Sequence, residues 1–121
     1  MTWIAILILA ALLAAIFLLR RSGLISPAEA AAHLKEGAMV IDVRTEGEFN
    51  SGHLPNAINL PLDEIETALP RRVRDKRQVL LLHCQAGGRS SQAVKKLTAL
   101  GYTNAFNLGS YSRASQIVDG K

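Results

Sequence analysis

The sequence contains few cysteine and aromatic residues and little excess of charge, and each scarcity argues against a type of crosslink or partner. Its 121 residues include one cysteine, so an internal disulfide is excluded and the thiol is free, as is ordinary in a reducing cytosol. Aromatic residues make up 5%, and none lies within the basic cluster at 71–77. Of the 14 basic residues two are Arg20 and Arg21, which leaves 12 against 10 acidic residues in the rest of the chain. This near-balance does not indicate a nucleic-acid partner, and the basic cluster either attracts small anions or is a solvated loop.

Charge is absent from the first 19 residues, where 3–19 form an unbroken apolar run. A run of 17 residues is near the lower limit for a helix that crosses a hydrocarbon core of about 30 Å. We therefore predict a transmembrane anchor over 1–21 and a separate domain over 22–121. A cleaved signal peptide and a buried core helix are the alternatives, but no basic residue precedes the run and no face of it is polar.

The two arginines after the run predict an orientation. Positively charged flanks tend to stay in the cytoplasm, so Arg20 and Arg21 place the domain on the cytoplasmic side of an inner membrane. The free thiol agrees with that side. A periplasmic domain is the alternative.

Beyond Gly23 short apolar runs alternate with amphipathic stretches, a pattern typical of an α/β domain with a largely parallel sheet. Ser26 and Thr45 are each followed three residues later by glutamate, which predicts two capped helix starts. Pro61 and Pro70 are expected to bound another helix. The predicted strands are 39–43, 57–60, 79–82 and 103–108, and the predicted helices are 27–36, 46–52, 62–69 and 89–100.

The single cysteine, Cys84, lies between a buried strand and the start of a helix. At that edge of an α/β sheet ligands bind. Gly87 and Gly88 permit a backbone whose N–H groups turn inward as an anion-binding nest, and the helix start adds partial positive charge. Such surroundings stabilise a thiolate, the nucleophilic form of cysteine. A buried, inert cysteine is the other interpretation, but it requires neither the glycines nor Arg89.

Two separated motifs resemble the rhodanese domain family. The first comprises Ile41-Asp42-Val43-Arg44, Glu48-Phe49 and the stretch 52–61, and the second is the cysteine loop followed by Leu100-Gly101-Tyr102. The resemblance covers about 25–108. The ending Asn107-Leu108-Gly109-Ser110-Tyr111 is similar to the single-domain phage shock protein E branch.

The resemblance implies a five-stranded parallel sheet flanked by helices and a thiosulfate sulfurtransferase activity. The thiolate of Cys84 would take a sulfane sulfur from a donor such as thiosulfate and pass the persulfide sulfur to cyanide or a thiol, without metal or organic cofactor. The substrate-binding loop would be Gln85, Ala86, Gly87, Gly88 and Arg89, where Arg89 either orients an anionic donor or braces the loop through an acidic partner. Asp42 and Arg44 would support this loop from behind.

Two other functions compete with sulfur transfer. Cysteine phosphatases separate their cysteine and arginine by five residues, whereas four residues separate Cys84 from Arg89. The shorter loop suits a single sulfur better than a phosphoryl group, so a phosphatase or arsenate reductase is the alternative enzyme. A membrane-tethered rhodanese-like binding module is the other alternative. Donor, acceptor and protein partners do not follow from the residues.

Overall fold

The computed structural model describes residues 2–21 and 24–120. Helix α1 spans Thr2–Arg21, α2 Pro27–Lys35, α3 Glu46–Asn50, α4 Ile65–Arg72, α5 Gly88–Ala99 and α6 Tyr111–Val118. Strand β1 spans Met39–Asp42, β2 Ile58–Asn59, β3 Leu80–His83 and β4 Ala105–Gly109. A short 3-10 turn over Leu62–Glu64 leads into α4. The elements alternate as the sequence pattern indicates.

The sheet of the described residues has four parallel strands in the order β2-β1-β3-β4. The five-stranded sheet that the resemblance implied is therefore wrong, although the residue pattern itself predicted four strands. At the outer edge of β4, Leu24 forms one isolated bridge with Asn107, and the Ile25 N–H donates to the Asn107 carbonyl at 3.0 Å. Pro27 then starts α2, so the pairing ends after this single contact.

Alternating side chains of β3 divide the core into two layers. Leu80 and Leu82 pack with α4 and α5, whereas Leu81 packs with α2 and α6, and all three side chains are fully buried. A parallel strand covered on both faces requires such a continuous apolar run. The carboxyl ends of β1 and β3 therefore meet at one edge between two helical layers, and Cys84 follows directly from β3.

The capping signals are confirmed with one difference. Thr45 and Glu48 form the complete capping box of α3, whereas at α2 the Ser26 side chain accepts the N–H of Glu29 and the box is half formed. Pro70 does not end α4, which continues to Arg72 and closes with a bond from the Val73 N–H to the Leu69 carbonyl. The last turn tolerates the proline because packing of Ile65 and Leu69 in the core holds the helix.

The predicted transmembrane anchor is wrong. None of the helices in the described part of the chain is long and apolar enough to cross a membrane. The predicted single-pass inner-membrane location, with its cytoplasmic face, is overturned with the anchor. The side chains of Arg20 and Arg21, on which the orientation rested, lie outside the described residues.

Candidate functional site

Cys84 lies at the carboxyl edge of the sheet, where β1, β3 and β4 end close together. His83 ends β3 opposite Asp42 of β1, and the Cys84 N–H donates to the carbonyl of Gly109 at the end of β4 at 3.2 Å. The cysteine backbone is thus held by a neighbouring strand before its loop begins.

Cys84 is only 1% exposed, and hydrogen-bonding groups surround its sulfur. The Gly87 N–H donates to Sγ at 2.9 Å, and Ser90 Oγ lies 3.5 Å from it. Burial raises the pKa of the Cys84 thiol. The Ser90 hydroxyl and the backbone N–H groups of Ser90, Gly87 and Ala86 together lower it by more than burial raises it, so the pKa lies below its usual value. Loop and helix start thus favour the thiolate, the nucleophilic form.

Gly87 has a backbone that few other residues adopt. Its φ of 101° is left-handed, and a Cβ there would lie 3.6 Å from the backbone of Gly109. This conformation turns the Gly87 N–H toward the sulfur and places Gly88 as the first residue of α5. Gly88 itself has no left-handed φ, and a Cβ there would meet nothing within 4 Å. Of the two glycines, Gly87 alone needs to be glycine for conformational reasons.

The last residue of β4 and the two residues after it close over the cysteine loop. Ala86 forms an antiparallel bridge with Ser110, and the Tyr111 N–H donates to the Gln85 carbonyl at 3.2 Å. Ser110 also caps α6 by accepting the Arg113 N–H. We name Gly109, Ser110 and Tyr111 the closing segment. The sequence showed these residues only as a family-like ending and did not predict their contact with the cysteine loop. The serine before an amphipathic stretch was a signal for the helix start.

Arg89 pairs with a glutamate rather than projecting alone. Its two terminal nitrogens donate to the two carboxylate oxygens of Glu48 at 2.6 and 2.9 Å. The bond from Arg89 lowers the pKa of Glu48 to about 2, helped by the backbone N–H of Thr45, and the bond to Glu48 raises the pKa of Arg89. The bidentate pair joins the start of α3 to the start of α5. Arg89 is thus arranged to brace the loop through an acidic partner, one of the two alternatives that the sequence left open.

Asp42 and Arg44 form a buried ion pair behind the loop. Arg44 Nη2 lies 2.7 Å from Asp42 Oδ2 and also 2.7 Å from the Gly52 carbonyl, to which it donates. Its Nη1 donates to Gln85 Oε1 at 3.4 Å, and the guanidinium lies over the Tyr111 ring at 4.7 Å. The bond to Asp42 raises the pKa of Arg44. The pair therefore contacts the cysteine loop through Gln85.

His83 lies between this ion pair and the closing segment. Its ring meets Tyr111 edge-on at 5.7 Å, and its Nε2 lies 3.8 Å from Asp42 Oδ2, beyond hydrogen-bond distance. Among the described residues this buried nitrogen has no hydrogen-bond partner. Burial lowers the pKa of His83, which favours the neutral ring.

The structure thus brings together the residues singled out from the sequence: Cys84, the loop Gln85, Ala86, Gly87, Gly88 and Arg89, and the pair Asp42 and Arg44. Sequence reasoning did not identify Ser90 and Asn107 behind the sulfur or Glu48 as the partner of Arg89. These contacts join segments far apart in the chain, and no local sequence pattern predicts them. Glu48 was visible as a capping residue and as part of the first family-like motif, but not as the partner of Arg89.

A groove opens in the surface next to the site. Within the part of the chain that the structure describes, no group of three or more His, Cys, Asp or Glu side chains is placed to hold a metal ion. A groove of about 520 Å³ opens beside the start of α3. It is lined by Thr45, Glu46, Phe49, Asn50, Asn59, Pro61 and Glu64.

The fold and the cysteine loop agree with a family comparison. A family model described as "Rhodanese-like domain" matches residues 26–115. The chain belongs to the rhodanese-like domain family.

Relatives within this family include named sulfurtransferases. Thiosulfate sulfurtransferase PspE of Escherichia coli (strain K12) is 38% identical over 69 residues, which cover 57% of this chain and 66% of the relative, just under two thirds of its length. The thiosulfate:glutathione sulfurtransferase of Homo sapiens is 33% identical over 58% of this chain and 71% of the relative.

Solved structures give the same result. The human single-domain sulfurtransferase TSTD1 superposes with a TM-score of 0.66 and 32% identity, covering 75% of this chain and 93% of that chain. A rhodanese with anions from E. coli superposes with a TM-score of 0.62 and 34% identity, covering 64% and 91%. The similarity to single-domain sulfurtransferases therefore holds in both sequence and fold.

Proposed function

We propose that this protein is a thiosulfate sulfurtransferase that carries sulfur as a persulfide on Cys84. The observation that carries the proposal is the Gly87 N–H, 2.9 Å from Sγ at the start of α5. This donor supports an anionic sulfur in a site that is otherwise buried. The sulfurtransferase relatives support the same chemistry.

The first half-reaction loads the cysteine. The Cys84 thiolate attacks the sulfane sulfur of thiosulfate, a Cys84 S–S bond forms, and the S–S bond of thiosulfate breaks to release sulfite. The persulfide keeps one negative charge. Inward-facing N–H groups of the loop can stabilise this charge, as preorganised donors do for an oxyanion.

The second half-reaction unloads it. Cyanide or a thiolate attacks the outer sulfur, and the S–S bond to Cys84 breaks with its electron pair returning to Sγ. Thiocyanate or a new persulfide leaves, and the Cys84 thiolate is regenerated. Covalent catalysis of this kind splits a transfer between two substrates into two displacements.

The bond between Arg89 and Glu48 supports sulfur transfer over phosphate chemistry. A phosphatase would need its loop arginine to bind the phosphoryl oxygens, but both terminal nitrogens of Arg89 donate to Glu48. A bidentate pair is costly to break because two charge-assisted hydrogen bonds would be lost together. The four-residue spacing agrees with this assignment.

The test is replacement of the sulfur carrier. Cys84→Ser should reduce transfer from thiosulfate to cyanide to background, since a serine hydroxyl forms no persulfide. In the unaltered protein, thiosulfate should add the mass of one sulfur atom, and cyanide should remove it. Thermal unfolding of both proteins checks that the variant is folded.

Three results would contradict the proposal. Turnover retained in folded Cys84→Ser would show that the sulfur passes elsewhere. Hydrolysis of an aryl phosphate by the unaltered protein, faster than sulfur transfer, would favour the phosphatase. A folded, unaltered protein that takes up no sulfur would favour the binding module.

A further inference from the structure

A fully buried serine lies directly behind the Cys84 sulfur. Ser90 Oγ is 3.5 Å from Sγ, 3.1 Å from the Gly87 carbonyl and 2.7 Å from Asn107 Oδ1. The shortest of these contacts is to the asparagine, which lies on β4. Ser90 therefore connects the sulfur of the cysteine loop to a buried amide on the neighbouring strand.

The direction of the hydrogen bond between Ser90 and Asn107 follows from a third group. The Gly109 N–H points to Asn107 Oδ1 at 2.8 Å, and because an N–H only donates, that atom must be the amide oxygen. An amide oxygen and the Gly87 carbonyl both only accept, and the hydroxyl of Ser90 donates its single proton to Asn107 as the nearer of the two, at 2.7 Å against 3.1 Å. The Ser90 lone pairs are then available to the S–H of a Cys84 thiol.

The arrangement must change when Cys84 carries a negative charge. A thiolate has no proton to donate, and the lone pairs of Ser90 would face it unfavourably. Rotation about the Ser90 Cβ–Oγ bond turns the proton from Asn107 to Sγ and restores a favourable contact. One proton thus serves Asn107 and the sulfur in turn, and the Asn107 contact, which is shorter than that to the Gly87 carbonyl, sets how readily the proton turns.

We propose that Ser90 and Asn107 are positioning residues for the proposed sulfur transfer, with Ser90 donating to the Cys84 sulfur whenever that sulfur is anionic and Asn107 holding the hydroxyl otherwise. The inference rests on the proposed function for its role in turnover. Sγ is anionic twice in that cycle: as the attacking thiolate in the first displacement, and as the departing thiolate when the outer sulfur is removed. The same hydroxyl therefore serves both half-reactions.

The experiment measures the rate of Cys84 alkylation by iodoacetamide as a function of pH. Alkylation requires the thiolate but neither a sulfur donor nor a sulfur acceptor, so this test is independent of sulfur transfer. Ser90→Ala should move the midpoint of the profile up by about one pH unit, since a hydrogen bond to a charged group is lost. This shift corresponds to about tenfold less thiolate at pH values well below the midpoint. Ser90→Thr, which keeps the hydroxyl, should restore the original profile.

Ser91→Ala is the matched control. Ser91 is the next residue of α5, and it contacts the loop through its backbone N–H, which donates to the Gly87 carbonyl at 3.1 Å and which alanine retains. Its profile should coincide with that of the unaltered protein. Equal shifts for Ser90→Ala and Ser91→Ala, or no shift for Ser90→Ala, would overturn the proposal.

Asn107→Leu tests whether the asparagine acts through the serine. With the acceptor on β4 removed, the hydroxyl proton loses the nearer of its two competing oxygens and only the Gly87 carbonyl at 3.1 Å remains, so it turns to the sulfur more readily and the midpoint should fall. In the Ser90→Ala background the same replacement should have no further effect. An equal effect of Asn107→Leu in both backgrounds would show that Asn107 acts independently, and would overturn the paired role. Thermal unfolding identifies any variant that fails to fold, in which case the alanine, threonine and control variants decide.

Discussion

Gly87 and Gly88 are neighbours in the sequence but have different reasons to be glycine. Gly87 has a φ of 101° and lies against the backbone of Gly109, whereas Gly88 begins α5 with open space around its Cα. A left-handed conformation costs a residue with a Cβ about 1–2 kcal/mol. The shape of the cysteine loop therefore depends on one of the two glycines.

Alanine replacements separate the two positions. Gly87→Ala should lower the free energy of unfolding by about 1–2 kcal/mol and slow Cys84 alkylation, because relief of strain moves the N–H that contacts Sγ. Gly88→Ala should leave the stability unchanged or raise it by up to about 1 kcal/mol, since alanine favours a helix. Denaturant unfolding measures both. Equal destabilisation of the two variants would contradict the assignment of strain to Gly87.

At the scale of elements, the pair of Glu48 and Arg89 connects α3 with α5. Glu48 also accepts the N–H of Thr45 as part of the α3 capping box, so one carboxylate serves a helix cap and the cysteine loop. The pKa of Glu48 is lowered to about 2 in the folded protein by these bonds, that from Arg89 first. Its stabilising effect therefore depends on ionisation of the carboxylate.

The pH dependence follows with a definite sign. A carboxylate whose pKa is lower in the folded state stabilises the fold above its unfolded pKa, and this contribution is lost as the pH falls toward the folded pKa. The unaltered protein should be more stable than Glu48→Gln at pH 7, and the difference should shrink between about pH 4.5 and pH 2. Thermal unfolding across this range measures it, with Glu46→Gln in the same helix as control. A difference independent of pH would assign the effect to packing.

At the scale of the whole molecule, α1 is separate from the core. Its described large apolar side chains are 48–79% exposed, and none belongs to either core layer. The rhodanese-like match begins only at residue 26. A division of the chain near residue 22 stays a prediction, and it can be tested by truncation.

A chain of residues 22–121 should unfold within about 2 °C of the full chain in the same buffer, since α1 buries none of these side chains in the core. A loss of 1 kcal/mol in a domain of 60–100 residues would lower the midpoint by about 4–8 °C. A drop of that size would show that α1 stabilises the domain. Thiosulfate activity of the two chains provides a second comparison.

Local patterns in the sequence were sufficient for much of this protein. Alternating apolar runs predicted the four strands, capping residues located the starts of α2 and α3, and a cysteine between strand and helix singled out the loop around Cys84. These features depend on residues within a few positions of one another. The apolar run at the start was wrongly interpreted as a membrane span.

Contacts between distant segments were decided only by the tertiary structure. The partner of Arg89 lies 41 residues away, and Asn107 lies 17 residues from Ser90. The edge of the sheet at Leu24 stops at one bridge because Pro27 begins a helix, so a family's usual strand count did not apply. Such pairings depend on which elements pack side by side, because packing alone determines which buried polar groups can satisfy one another.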